Sequence, residues 1–376
     1  MIEKKRIKVA MVFPYAPSYR EPIYSLMDEA FDCTFFFCGD SHRNLKYMDY
    51  SVLKHVNTEL KDSSWHGLRF YRGISKIDFS NFDIIVHPGT LRNPSSWFLQ
   101  IKMLFRKGAP KIVLWTHGWY GKESKIEKIL KKIYFSMVDQ ILLYGNYAKD
   151  GLAALGVKPE KLKVIYNSLD YDAQLKLRQS IVPSDIYKEH FGNDNKVLIC
   201  ICRLELRKRI DFLFDALGLL NNGEEQYNVV IIGDGQDKEH LVSKVKEKRI
   251  ENNVWFYGAC YNEKVNAELL YNADLCVVPG DVGLTAIHSM MFGTPLITHN
   301  CFKYQGPEFE SVKPMVTGCF FEHNNVKSLA DKIADWFIQN KDRNKVRSEC
   351  FREIDRTWNP HVQLDILRQS FYEILC

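Results

Sequence analysis

This chain is predicted to be an α/β protein with two doubly wound, mainly parallel sheets, and three observations carry that expectation. Short apolar runs bounded by glycine or proline alternate with segments of helical period, the grammar of βα units. Residues 274–300, DLCVVPGDVGLTAIHSMMFGTPLITHN, hold one full unit: strand, glycine turn, helix, glycine turn, strand. The chain is 376 residues long, more than one core comfortably holds, and a polar stretch at about 171–195, read as poor in helix, divides it. The expected domains are therefore 1–180, joined by a returning helix at 361–376, and 181–360.

In the first half, strands are expected at 7–13, 33–37, 83–87, 111–116, 140–144 and 163–166. The first runs into PYAPSYREPIYSLM, a proline and tyrosine loop before a helix carrying Ile23, Leu26 and Met27. Ile126, Ile129, Leu130 and Ile133 recur at helical spacing, and another helix is expected around 149–155. One strand ends in His87-Pro88-Gly89 and the next in Thr116-His117-Gly118. Both histidines thus fall at the carboxyl edge of a parallel sheet, where such folds bind ligands.

The second half repeats the pattern, with strands at 196–202, 228–232, 254–258, 275–279 and 296–298. Between them lie helices at 210–220, up to Arg249, at 263–272 and at 284–291. The first strand is followed by the basic turn Arg203–Arg209, the second by Gly233-Asp234-Gly235. A glycine turn feeding a helix start, as at Gly283, presents free N–H groups and the positive end of a helix dipole. An ordinary strand–helix connection has the same composition. A last helix at 361–375 follows Trp358-Asn359-Pro360 and is expected to cross back onto the first half.

Composition is that of a soluble globular protein, at 46% apolar and 26% charged. No run reaches the roughly 20 apolar residues of a membrane span, and MIEKKRIKVAMVF lacks a cleavage-site pattern. Ten scattered cysteines show neither zinc spacing nor a disulfide framework, so reduced thiols and a cytoplasmic setting are expected. Net charge is +5, but residues 101–134 concentrate nine basic residues against Glu123 and Glu127. Together with the amphipathic helix, this suits an anionic membrane surface; a core-facing helix with lysines outward gives the same pattern. No nucleic-acid motif accompanies the charge.

Three stretches in order, CRLELRKRID, VVIIGDGQDKEHL and ADLCVVPGDVGLTAIHSMMFGTPLIT, resemble the nucleotide-sugar half of family 4 glycosyltransferases. These are the retaining, "group 1" enzymes of two-domain GT-B architecture, with Rossmann-like halves facing a cleft. KVIYNSLD and WTHGWYG echo the family more weakly, extending the likeness from about Leu114 to Phe320. The resemblance implies that Arg203 and Lys208 hold the donor diphosphate, and the physics agrees: a leaving diphosphate needs fixed cations. It implies that His117 lines the donor-sugar pocket, with Arg203 and Lys208 as its catalytic partners. Asp281, Val282, Gly283, Leu284, Thr285, His288, Gly233 and Gly235 are the implied donor-binding set. Tyr19 and Arg20, where the family carries a glycine pair, and His87 are acceptor-side candidates.

One departure matters. The family carries two glutamates with seven residues between them, the first touching the donor sugar and the second the ribose. Aligned on Gly293-Thr294-Pro295, these positions are Gly280 and His288. Asp281 sits beside the first with shorter reach, and His288 offers a ring nitrogen to a ribose hydroxyl.

The expected function is transfer of a sugar from a nucleotide-sugar donor, UDP-sugar first and GDP-sugar second, to a glycan or lipid-linked acceptor. The setting implied is bacterial surface polysaccharide assembly at the inner face of the plasma membrane, with no cofactor, metal or nucleic acid. The alternative is a catalytically impaired nucleotide-sugar or glycan-binding module of the same fold. An epimerase of this architecture would need no acceptor. A dinucleotide oxidoreductase fits poorly, because Gly233-Asp234-Gly235 lies mid-domain and lacks a third glycine.

Overall fold

Alternation along the first strand organises the first sheet. In a computed structural model, which describes residues 6–39 and 46–376, β1 (Lys8–Val12) sends Val9 and Met11 into one apolar cluster and Ala10 and Val12 into another. Both faces are therefore buried, as a parallel sheet requires. After α1 (Glu21–Ala30) come β2 (Asp32–Cys38), β3 (Val56–Trp65), β4 (Leu68–Arg72) and β5 (Ile84–His87). Then follow α2 (Pro94–Leu104), β6 (Lys111–Thr116), α3 (Lys125–Ser136), β7 (Gln140–Leu143), α4 (Asn146–Ala154) and β8 (Leu162–Val164). The strand order is β4-β3-β2-β1-β5-β6-β7-β8, parallel except that β3 and β4 pair antiparallel. That hairpin departs from the expected βα repetition. His66 and Gly67 both have positive φ, the geometry of a two-residue hairpin turn.

The stretch at 171–195 is helical, contrary to expectation. It forms α5 (Tyr171–Ser180) and α6 (Ile186–Phe191). Only Gln174 of α5 is buried, so its sequence lacks the apolar stripe by which a helix is usually read. Beyond it come β9 (Lys196–Ile201), α7 (Ile210–Leu220), β10 (Tyr227–Ile232), α8 (Lys238–Glu247), β11 (Val254–Gly258) and α9 (Glu263–Asn272). β12 (Leu275–Val277), α10 (Thr285–Met291), β13 (Leu296–His299), β14 (Gly318–Phe321), α11 (Val326–Gln339) and α12 (Arg343–Arg356) complete this part. Its six strands run in the order β11-β10-β9-β12-β13-β14, every pair parallel.

The chain divides into two compact units, Met1–Asp170 with Asn359–Cys376, and Tyr171–Trp358. The division thus falls ahead of α5 rather than at 180. The last helix, α13 (Pro360–Leu375), is capped by the Asn359 side chain, which accepts from the His361 and Val362 amides. It returns to the first unit, packing Leu364, Leu367 and Phe371 into the same cluster as Val9 and Met11. Ser370 donates to Gln140 at 2.7 Å, and Ser168 donates to Gln363 at 2.9 Å.

Candidate active site

In the second unit β9 and β12 are sheet neighbours, so the loops leaving their carboxyl ends lie side by side. The Gly280 amide donates to the Lys208 carbonyl at 2.8 Å, and the Thr285 hydroxyl donates to the last carbonyl of β9, Ile201, at 2.8 Å. The basic turn and the glycine turn therefore form one corner. Lys208 is buried, and its ammonium donates to the Asp281 carbonyl at 2.7 Å and lies 3.4 Å from the Asp281 carboxylate. An ammonium has three donors, and the Asp281 carbonyl takes one of them, so donors remain for a ligand. Arg203 is more than half exposed, 3.8 Å from Glu205. Among the described residues, the amides of Gly283, Leu284 and Thr285 meet no acceptor within the protein.

The other expected donor-site residues divide by role. Asp281 pairs with Arg207 through one carboxylate oxygen and holds the other 3.4 Å from the Lys208 ammonium, so it braces the cations of this corner. The Val282 amide is taken by Gln305 at 2.7 Å and its side chain is fully buried, which removes it from the anion-binding set. Gly233 and Gly235 serve backbone approach: a Cβ on either would stand 1.9 Å from the Cys202 carbonyl or 2.2 Å from that of Leu204. His288 meets Glu263 at 2.9 Å, and Gln174 donates to the same carboxylate oxygen at 2.7 Å. Burial alone would raise the Glu263 pKa, but these hydrogen bonds outweigh it and hold it below the usual value. Glu263 and Gln305 escaped the sequence reading, because their partners arrive from other elements.

In the first unit β5, β6 and β7 are consecutive, which brings His87, His117 and Tyr144 to one edge. His87 is buried, with Nδ1 3.2 Å from the Pro88 carbonyl, and burial pushes its pKa down to about 4. The His117 ring lies 4.8 Å from that of Tyr144 and 5.7 Å from Tyr120. Surrounding protein and the Arg20 charge lower its pKa, although its exposed side limits the shift. Arg20 is buried with its guanidinium over Trp115, 4.5 Å from the ring centre, and hydrogen-bonds the Tyr144 hydroxyl. Tyr19 stands beside it, 5.8 Å from the guanidinium. The loop after His117 is pinned by Lys131, whose ammonium donates to the Gly118 carbonyl at 2.5 Å and to Glu123 at 2.6 Å.

Lys131 thus leaves the basic surface, and α3 is turned the other way from a core-facing helix. Its buried side is Lys131, Tyr134 and Phe135, while Ile126 and Ile129 are 71% and 62% exposed. α2 adjoins it, Trp97 lying 4.8 Å from Tyr134, and exposes Phe98 and Leu104 with Phe105 just beyond. Lys125, Lys128 and Lys132 flank this apolar ridge, all exposed. No helix among the described residues is long and apolar enough to cross a membrane.

Two units built on mainly parallel sheets, one with cations and open amides at its carboxyl edge, define a class of protein with a place for an anionic ligand. Comparison with known proteins sharpens that. Residues 25–173 match the model described as Glycosyltransferase Family 4, and residues 183–350 the one described as Glycosyl transferases group 1. The chain belongs to the group 1, family 4 glycosyltransferases, and its fold is GT-B. It is 23% identical over 270 residues, 70% of each chain, to an uncharacterized 41.2 kDa protein in the cps region of Klebsiella pneumoniae. To the lipopolysaccharide 1,6-galactosyltransferase of Salmonella typhimurium it is 26% identical over 213 residues, 55% of this chain and 53% of that one. The structure of Anabaena HepE in complex with UDP is similar at TM-score 0.73 and 16% identity, covering 98% of this chain and 100% of HepE.

Proposed function

We propose that this glycosyltransferase transfers a sugar, with retention at the anomeric carbon, from a nucleotide-sugar donor to a glycan or lipid-linked acceptor in bacterial surface polysaccharide assembly. The single observation that carries the reading is the corner where Lys208, in the basic turn that starts at Arg203, meets the turn leading into the Gly283–Thr285 amides. Cations and fixed dipoles aimed at one place offset the charge that develops on a leaving diphosphate. The UDP complex of HepE supports a UDP-sugar, with a GDP-sugar second. The cps-region and lipopolysaccharide relatives support the setting. The second unit binds the donor and the first unit the acceptor, with His117 beside the transferring sugar. No metal or other cofactor is required, since Lys208 and Arg203 supply the positive charge.

A panel of nucleotide sugars, with and without polysaccharide fragments or lipid-linked acceptors, tests this. Nucleoside diphosphate release that needs an acceptor, and continues undiminished in a chelator, is the expected result. Binding without release across the panel would point to the impaired module, and chelator-sensitive turnover would defeat the metal-free reading.

The ridge of α2 and α3 supports docking on an anionic membrane, on the inner face where a lipid-linked acceptor is presented. Apolar side chains ringed by lysines have the pattern of an interfacial helix. Vesicles containing phosphatidylglycerol are expected to sediment the protein, and pure phosphatidylcholine vesicles are not. Replacing Lys125, Lys128 and Lys132 by glutamine is expected to weaken binding about 100-fold, at roughly 1 kcal/mol per cation. Equal sedimentation with both lipids would contradict the anionic preference, and sedimentation with neither would exclude the membrane role.

A further inference from the structure

We propose that Arg20 is the binding group for a ligand oxyanion, a phosphate or carboxylate carried by a substrate of this enzyme. The inference rests on the transferase reading only in calling that ligand a substrate. Arg20 is 9% exposed, and its guanidinium is walled by the rings of Tyr19, Tyr24, Trp115 and Tyr144 at 4.5 to 5.8 Å. One terminal nitrogen donates to the Tyr144 hydroxyl, and the other, Nη1, has no acceptor. Among the described residues, no carboxylate lies within ion-pairing distance of Arg20.

A buried charge without a counter-ion is costly, and aromatic faces offset only part of that. A second buried donor, the Trp115 indole N–H, belongs to the ring under the guanidinium and also has no acceptor. The exposed ring of His117 lies 4.8 Å from that of Tyr144. A fixed cation with a neighbouring unused N–H, at the carboxyl edge of a parallel sheet, is a site awaiting oxygen atoms of negative charge. Their source is either an anionic group of the acceptor or the donor's diphosphate.

Thermal melting of the full chain in chloride buffer, with inorganic phosphate added stepwise, tests this. A Lys208→Ala background weakens the phosphate site of the second unit. There the phosphate-dependent rise in melting temperature is expected to persist and to be lost on adding Arg20→Met. Without phosphate, Arg20→Met is expected to raise the melting temperature, since it removes an uncompensated buried charge. An undiminished phosphate response in the double variant would overturn the proposal. Should the methionine variant not fold, Arg20→Lys keeps the charge without the fork and is expected to respond to phosphate more weakly than its parent; an equal response overturns the proposal as well. A UDP titration of Arg20→Met then separates the sources: unchanged affinity assigns the oxyanion to the acceptor, weakened affinity to the diphosphate. No turnover enters the melting readout, so an absence of transferase activity leaves it standing.

Discussion

Replacing Lys208 by alanine is expected to lower kcat by about 100- to 1,000-fold, the effect of removing one fixed donor from a developing oxyanion. The structure gives the reason. The ammonium is buried at the junction of two loops, donating to the Asp281 carbonyl and standing 3.4 Å from the Asp281 carboxylate. On the proposed reading, its removal takes away charge aimed at the leaving group, and it also frees the Asp281 turn that leads into Gly283. Arginine is not expected to rescue the variant, because a buried site shaped for a compact ammonium does not admit a planar fork. Steady-state kinetics with the preferred donor, checked against an unchanged fold by circular dichroism, measures this. Kinetics like those of the parent would remove Lys208 from the site.

Restoring the family's glutamate at Gly280 is expected to lower activity by about 100-fold, not improve it. A Cβ at this position would stand 2.0 Å from the Arg207 carbonyl oxygen and 2.5 Å from the Lys208 carbonyl carbon. Those are backbone atoms with no rotamer to yield, so the two loops must separate and the Gly280–Lys208 hydrogen bond must break. A displacement of about 1 Å at a reacting site costs on the order of 100-fold in rate. Gly280→Ala is expected to lose as much as Gly280→Glu, since the first side-chain carbon does the damage. Donor-dependent nucleoside diphosphate release by both variants checks the point; a glutamate variant faster than its parent would show that the loop tolerates a side chain. The missing carboxylate is thus matched by a close backbone contact that excludes it.

Much of this was legible in the sequence, for identifiable reasons. Residues 210–220, 254–258 and 263–272 form α7, β11 and α9 over the expected bounds, because their apolar patterns are complete and bounded by polar residues. The cations and glycine turn were legible because their order and spacing are distinctive. α5 was hidden because it buries only Gln174 and so shows no apolar stripe. The β3–β4 hairpin was hidden because VNTELKDSSW mixes polar residues on both faces and turns at His66-Gly67. Periodicity revealed the stripe on α3 but not the direction it faces, and so did not place Lys131 inside. The partnerships of His288 with Glu263, and of Val282 with Gln305, join residues about 25 apart that only packing unites.

The most direct measurement is a crystal structure with UDP soaked in. The diphosphate oxygens are expected about 3 Å from the Gly283, Leu284 and Thr285 amides, with the Lys208 ammonium and the Arg203 guanidinium turned toward them. A diphosphate seated elsewhere on the second unit, with that corner untouched, would contradict the account.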